Sequence, residues 1–225
     1  FLLAYLRTWD YQAAQRPDSF IADSEAVKQR IKKYYNRDSK VIYPPVDIDK
    51  FKVSDGQKDY FLLVGRPVPY KRFDLAIEAF NHLSQEKLLV IGDWPLYSRL
   101  KIKRRNSENI KFIGLVQEEE LAKYYADCKA LIFPQEEDFG IVPLEAMASG
   151  RPVIAFRAGG ALETVKEGET GVFFGEQTPE ALVEAVKSFD EKRFDSGNLR
   201  RHAQKFDKAV FKNKISKSIS HLTDL

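Results

Sequence analysis

Residues 130–155 read ALIFPQEEDFGIVPLEAMASGRPVIA, and this stretch decides the fold. The apolar run 130–133 has the length and composition of a buried strand. An acidic loop follows, and Pro143 then suits the first turn of a helix that we expect to run to Ser149. A second apolar run, 152–155, comes directly afterwards. Strand, helix and strand within so short a span predict a right-handed βαβ unit of a parallel sheet.

The same alternation extends along most of the chain. Short apolar runs predict strands at 19–22, 40–43, 60–64, 87–91, 110–113, 130–133, 152–155 and 171–174. Helical spacing of apolar residues appears between strands at 72–83, 118–126 and 179–189. The six runs from residue 60 onward are sufficient for a complete domain. The predicted fold class is therefore α/β, a Rossmann-like doubly wound parallel sheet.

The first 45 residues indicate the remnant of a preceding domain. Asp23 and Ser24 are suited to cap a helix over 25–35, a strand follows, and Pro44-Pro45 forms a stiff link. We therefore predict the end of an N-terminal domain in residues 1–45, a Rossmann-like domain in 46–190 and C-terminal helices in 191–225. Because the chain does not begin with Met, we expect a preceding segment to be absent from it.

Composition narrows the possible classes of function. The net charge of +3 and pI of 8.7 permit an anionic ligand without requiring one. A single cysteine, Cys128, excludes an internal disulfide and favours a reducing, cytoplasmic setting. We predict that Cys128 fills the core and that all three histidines, His82, His202 and His221, lie at the surface.

The charged and apolar surfaces predict few macromolecular partners. Basic clusters at 28–37, 99–105 and 200–217 are read as solvated helix faces. They lack interleaved aromatic residues, so we expect no nucleic-acid binding. No run is long enough to span a bilayer, although the basic amphipathic C-terminal stripe leaves open a peripheral association with the inner face of a membrane.

Cationic residues follow the strand at 60–64. Gly65 permits a sharp turn, and Arg66 and Lys71 then stand between a strand end and a helix start. Ligands of open parallel sheets bind at the carboxyl ends of strands. Arginine offers a bidentate fork to phosphate and lysine a point charge, so this loop predicts a diphosphate site.

The loop after 130–133 offers a second set of groups. Glu137 precedes a helix start at which the free N–H groups around Gly140 to Val142 would face an anion. Glu145, about one turn into that helix, is able to accept hydrogen bonds from two hydroxyl groups. The loop thus offers a carboxylate, an anion-binding helix start and a second carboxylate, in that order. This order fits a sugar nucleotide, in which sugar hydroxyls, phosphates and ribose hydroxyls follow one another. Gly159 and Gly160, after the next strand, permit a close backbone approach.

These motifs together resemble the retaining GT-B glycosyltransferases of family 4, also called glycosyl transferases group 1. The matching text is Val64-Gly65-Arg66, Tyr70-Lys71-Arg72, Phe112-Ile113-Gly114, the E-x7-E pair Glu137 and Glu145 within FGIVPLEAMASG, and Gly159-Gly160 with Glu163. The resemblance extends over residues 22–187, and Tyr43 to Asp47 is similar to the family's interdomain link. The beginning of the chain also resembles mannosyltransferases of surface polysaccharide synthesis.

The resemblance implies a role for each site residue. Arg66 and Lys71 would hold the donor diphosphate, with Gly65 at the turn, and Glu137 would act on the donor sugar. The backbone of Phe139, Gly140, Ile141 and Val142 would hold that sugar, Glu145 the ribose, and Phe112, Ile113, Gly114 and Leu115 would flank the base. The C-terminal helices would return to the N-terminal acceptor domain, most of which lies outside this chain.

The expected substrates follow from the same resemblance. The donor would be GDP-mannose, with a UDP-sugar as the alternative, and the acceptor a glycan or a lipid-linked glycan. No cofactor and no metal would be required, and Asp47-Ile48-Asp49, although it matches the D-x-D text of metal-dependent enzymes, is predicted to be a turn. A nucleotide-sugar-binding fragment without activity of its own is the remaining alternative.

Overall fold

The computed structural model describes residues 1–54, 56, 59–92 and 107–223, with side chains to residue 220. Within this part, the strands form two parallel sheets, one of two strands and one of six. The strands are β1 (Ile21–Ala22), β2 (Lys40–Val41), β3 (Phe61–Val64), β4 (Leu88–Ile91), β5 (Ile110–Gly114), β6 (Ala130–Phe133), β7 (Val153–Phe156) and β8 (Gly171–Phe174). All eight predicted strands are present; β1 to β4 are one or two residues shorter than predicted, β5 is one residue longer, and β6 to β8 have the predicted length.

The larger sheet has the strand order β5-β4-β3-β6-β7-β8. Strands β3, β4 and β5 follow one another toward one edge of the sheet, and β6, β7 and β8 follow one another toward the other edge. The strand order therefore reverses between the neighbouring strands β3 and β6. Such a reversal opens a crevice at the carboxyl ends of the two strands. The predicted Rossmann-like doubly wound fold is confirmed.

Helices cover both faces of this sheet. The described helices are α1 (Leu2–Ala13), α2 (Glu25–Tyr35), α3 (Phe73–Asn81), α4 (Glu118–Asp127), α5 (Ile141–Ala148), α6 (Ala161–Thr164), α7 (Pro179–Ser188), α8 (Ser196–Ala203) and α9 (Lys208–Thr223). In β3, Phe61 and Leu63 pack with α3 and α7, whereas Leu62 and Val64 pack with α4 and α5. Alternate residues of a strand face opposite sides, so a continuous apolar run suits a sheet buried on both faces.

The first residues form a separate small unit. Helix α2 has the predicted bounds, because the Ser24 hydroxyl accepts a hydrogen bond from the N–H of Val27 at its start and Asn36, with a φ of 52°, ends it. Strand β1 precedes this helix and strand β2 follows it, and the two strands pair in parallel. Helix α1 was not predicted, and none of its residues is buried.

The C-terminal helices contact both the domain of the six-stranded sheet and the N-terminal segment. Helix α8 packs on α5, while Lys214 of α9 lies 5.8 Å from the ring centre of Tyr43. The predicted turn at 47–49 is present, and Asp47 pairs with Lys208 at 2.8 Å. The proposed boundaries of the three parts remain a prediction. Across the described residues, no helix has the length and apolar character that a membrane span requires.

Candidate functional site

A cleft of about 860 Å³ opens at the carboxyl ends of β3 and β6. Six of the predicted site residues line it: Lys71, Glu137, Phe139, Gly140, Ile141 and Val142. The lining also contains residues that were not assigned to the site: Asp23, Arg30, Pro44, Tyr70, Arg72, Glu136, Asp138 and Gln177. The cleft therefore coincides with the reversal of strand order, where this fold class binds ligands.

Lys71 and Glu137 form an ion pair across the cleft. The Nζ atom of Lys71 lies 2.9 Å from Oε1 of Glu137, and the two side chains are 15% and 17% exposed. Gly65, with a φ of 137°, turns the chain after β3, and the 3₁₀ turn Pro69–Lys71 brings the lysine over the cleft. A partly desolvated pair is only weakly screened, so it presents a localised positive charge together with an acceptor.

Helix α5 begins at the cleft floor. Gly140 precedes it with a φ of 82°, and no side chain caps it. The backbone N–H groups at the first turn of a helix have no partner within the helix, and the helix dipole is positive there. This start therefore offers donors to an anion about one turn before Glu145.

The turn at Gly159-Gly160 fixes the loop that carries Glu137. The N–H of Gly160 donates to the carbonyl of Glu137 at 2.8 Å. A Cβ atom on Gly160 would stand 2.2 Å from the carbonyl oxygen of Phe139, and one on Gly159 would stand 2.3 Å from that of Glu137. The close approach that the structure contains at this turn is to this loop, and the approach of the backbone to a ligand stays a prediction.

Glu145 lies beyond the lining of the cleft and is half-buried. Its Oε2 atom accepts a hydrogen bond of 2.7 Å from the hydroxyl of Tyr125. Burial raises the pKa of Glu145, whereas this hydrogen bond lowers it. The carboxylate is thus held by one oxygen, and sequence reasoning had not anticipated the tyrosine.

Gln177 joins three loops at the edge of the cleft. Its amide oxygen accepts a hydrogen bond of 2.6 Å from Arg72, and its amide nitrogen donates to the carbonyl of Pro134 at 2.9 Å. Arg72 begins α3 in a left-handed conformation, with a φ of 51°. Gln177 was missed in the sequence-based prediction. It follows β8, so the rule that ligands bind at the carboxyl ends of parallel strands would have predicted it as a site residue too.

The remaining predicted residues lie outside the lining of the cleft. Arg66 is exposed, and within the described ranges no ion pair joins it. At the end of β5, Gly114 has a φ of 94° and Leu115 is 74% exposed. Phe112 is partly buried in the core beside α3, and Ile113 is 36% exposed. The structure therefore brings Lys71 together with Glu137 and the start of α5, whereas Arg66 and the segment 112–115 lie outside the lining of the cleft.

Glu163, quoted in the motif, contacts the N-terminal segment. Its carboxylate accepts hydrogen bonds from the N–H groups of Glu25, at 2.9 Å, and Ala26, at 3.3 Å, at the start of α2. Burial and the nearby carboxylate of Glu163 raise the pKa of Tyr43 to about 12. Arg30 of the same helix pairs with Asp138 at 2.5 Å. These contacts fix α2 beside the loop that carries Glu137.

The prediction for His202 was wrong. Its ring is buried and Nε2 lies 2.8 Å from the carbonyl of Thr164, to which it donates. Cys128 is buried as predicted, and His82 is exposed as predicted. The side chain of His221 and the basic cluster at 99–105 lie outside the described residues.

The family model described as glycosyl transferases group 1 matches residues 46–209. The chain belongs to the glycosyl transferases group 1 family. The match covers the six-stranded sheet, α8 and the part of the cleft lining that follows residue 46.

Two curated relatives show the range of this family. An uncharacterized glycosyltransferase of Methanocaldococcus jannaschii is 30% identical over 177 residues, which cover 77% of this chain and 50% of that protein. The O-antigen chain mannosyltransferase RfbU of Salmonella typhimurium is 28% identical over 216 residues, covering 88% of this chain and 61% of that protein. The chain spans about half the length of the curated relatives it matches.

Solved structures of glycosyl transferases share the fold. Sucrose-phosphate synthase from Thermosynechococcus elongatus has a TM-score of 0.87 at 23% identity, covering 97% of this chain and 61% of that one. Anabaena HepE in complex with UDP-glucose has a TM-score of 0.82 at 24% identity, covering 96% of this chain and 67% of that one. At these identities the likeness concerns the fold alone.

Proposed function

We propose that this chain is the donor-binding part of a retaining glycosyltransferase that transfers a sugar from a nucleotide-sugar donor to a glycan or lipid-linked acceptor. The observation that carries the proposal is the partly buried pair of Lys71 and Glu137, which faces the uncapped start of α5 at the strand-order reversal. One cleft thereby offers a cation and backbone donors for a diphosphate, and a carboxylate for sugar hydroxyls.

The chemistry that these residues would support is the departure of a nucleoside diphosphate. When the bond between the sugar's anomeric carbon and the diphosphate oxygen breaks, its electron pair stays on that oxygen. Lys71 and the first N–H groups of α5 would stabilise this charge, since preorganised donors are most effective in a partly desolvated site. Glu137, released from Lys71, would accept hydrogen bonds from sugar hydroxyls. Arg66 would supply a second cation to the phosphates.

GDP-mannose is the proposed donor, and a UDP-sugar is the alternative. The similarity to the mannosyltransferase RfbU favours mannose, whereas the shared fold with HepE, solved with UDP-glucose, favours a UDP-sugar. The segment Phe112 to Leu115 is proposed to flank the base. We also propose that binding needs no metal, because cationic side chains would neutralise the diphosphate in its place.

Calorimetric titration of the chain with GDP, UDP and ADP, each with and without Mg²⁺, tests the proposal. We expect one nucleotide to bind, with equal affinity in both conditions. The Glu145→Ala variant should lose about 1–3 kcal/mol of binding free energy, the cost of leaving ribose hydroxyls unpaired. If the chain is folded and binds none of the three nucleotides, the proposed donor site is wrong; strict dependence on Mg²⁺ would contradict only metal independence.

A further inference from the structure

Tyr125 carries a polar group into the core beneath the site. The side chain is fully buried on α4, and its ring meets Phe51 edge-on with centroids 5.8 Å apart. Its hydroxyl donates a 2.7 Å hydrogen bond to Oε2 of Glu145 on α5. A phenylalanine would fill the same space without the cost of burying a hydroxyl group, so the hydroxyl calls for a reason beyond packing.

The geometry divides the two oxygens of Glu145 between different tasks. The Tyr125 hydroxyl engages Oε2, and this hydrogen bond limits the orientations of the half-buried carboxylate. An ionised carboxylate has about four acceptor positions, so Oε1 and the second lone pair of Oε2 remain for a ligand. A flexible glutamate would first have to be ordered by the ligand, and fixing such a side chain has an entropic cost.

We propose that Tyr125 is a positioning residue for nucleotide recognition: its hydroxyl holds one oxygen of Glu145 so that the carboxylate is already oriented to accept the ribose hydroxyls of the donor. The proposal rests on the proposed function, in which Glu145 binds the ribose. It adds a residue that touches no substrate and acts through the carboxylate.

The same chain offers a matched control. Tyr60 is a second buried tyrosine of the same core, and its hydroxyl donates to the backbone carbonyl of Tyr124 at 3.0 Å. Tyr125→Phe and Tyr60→Phe each remove one buried hydroxyl and keep the ring. They differ in whether that hydroxyl is bonded to Glu145.

The test compares a nucleoside diphosphate with its 2′,3′-dideoxy form by calorimetry, using GDP or UDP according to which the chain binds. We expect the unmodified chain to prefer the ribonucleotide about tenfold or more, and Glu145→Gln to lose most of that preference. Tyr125→Phe should reduce the preference about three- to tenfold, which corresponds to the net contribution of one ordinary intramolecular hydrogen bond. Tyr60→Phe should leave it unchanged, and urea unfolding would confirm that each variant is folded.

A pH profile provides a readout that a loss of packing would not change. Besides Tyr125, the charged groups that act on Glu145 are Lys50, which lowers its pKa, and Glu118, which raises it. Without the hydroxyl, the pKa of Glu145 rises further, so the carboxylate takes up its proton at a higher pH. Ribonucleotide affinity of Tyr125→Phe should therefore decline on acidification before that of the unmodified chain does.

The outcomes separate the two proposals. If the unmodified chain binds both nucleotides equally, Glu145 does not read the ribose, and both proposals fail for this residue. If Glu145→Gln loses the preference while a folded Tyr125→Phe keeps the full preference and an unshifted pH profile, the proposed function stands and the positioning role of Tyr125 is overturned.

Discussion

The Gly160→Ala substitution tests whether the glycine turn holds the site together. An alanine methyl group would stand 2.2 Å from the carbonyl oxygen of Phe139, 2.3 Å from its Cα and 2.5 Å from its carbonyl carbon. Non-bonded carbon atoms rest about 3.5–4.0 Å apart, so the backbone of the loop after β6 would have to move by roughly 1 Å. Gly160 has a φ of −64°, which alanine adopts freely, so the cost arises from overlap alone.

The expected magnitude follows from what would have to move. Overpacking a well-packed region costs about 1–3 kcal/mol of unfolding free energy, and here the overlap is with backbone, which yields less than a side chain does. The displaced loop carries Glu137 and leads into α5. A shift of about 1 Å in a binding group is sufficient to cost roughly tenfold or more in affinity. Urea unfolding and nucleotide titration of the same preparation would measure both effects.

Two other glycines of the chain supply the controls. A methyl group on Gly175 would meet nothing within 4 Å, so Gly175→Ala should change neither quantity. Gly168 also has open space but a φ of 74°, so Gly168→Ala should lose about 1 kcal/mol of stability through backbone strain and keep its affinity. Unchanged stability and affinity in Gly160→Ala would refute the reasoning about this turn.

Substitutions at three further positions have defined outcomes. Glu163→Ala removes the acceptor of the N–H groups at the start of α2 and should lower the unfolding free energy by about 1–2 kcal/mol in urea, with Glu163→Gln losing less; equal stability of all three proteins would contradict this. Gln177→Leu removes the hydrogen bonds to Arg72 and to the buried carbonyl of Pro134, so we expect the unfolding free energy to fall by about 1–3 kcal/mol and nucleotide affinity to fall about three- to tenfold. An unaltered affinity would show that the bridge does not shape the cleft. Burial lowers the pKa of His202 in the folded chain below its ordinary 6.5, so the unfolded chain binds the proton more tightly. The stability that is fully present above pH 6.5 should therefore decline as the pH falls below that value. His202→Gln, which still offers an N–H to Thr164, should flatten the decline between pH 7.5 and 5.5; an identical decline in both proteins would assign it to other groups.

The sheet could be predicted from the sequence because its strands are buried on both faces. A run such as Phe61 to Val64 is apolar throughout, and such runs indicate parallel strands whatever the residues around them. Helix α1 was missed although its sequence carries a signal. Leu2, Leu6, Trp9 and Ala13 recur at helical spacing and form an apolar face, and none of the residues of α1 is buried.

The errors at the site come from contacts between residues distant in sequence. His202 stands beside Arg200 and Arg201, which suggested a solvated face, yet it shares the buried stripe of Leu199, Ala203 and Phe206. That spacing was readable and would have predicted its burial. The bond between Tyr125 and Glu145 gives no such signal, because its two residues lie on different helices, α4 and α5, and only the packing of these helices brings the side chains together.

The path of the chain near Val46 has a mechanical consequence. The N–H of Val46 donates to the carbonyl of Phe206 at 2.9 Å, and Val46 and Asp207 form a parallel bridge, so the chain leaves the N-terminal segment and comes back toward it at adjacent points. One connection alone would allow rotation about several axes. Two connections bonded side by side resist twisting, and bending about the line through them is the least restrained motion. Movement of the six-stranded sheet relative to the N-terminal segment would then follow a single arc, set by these few residues.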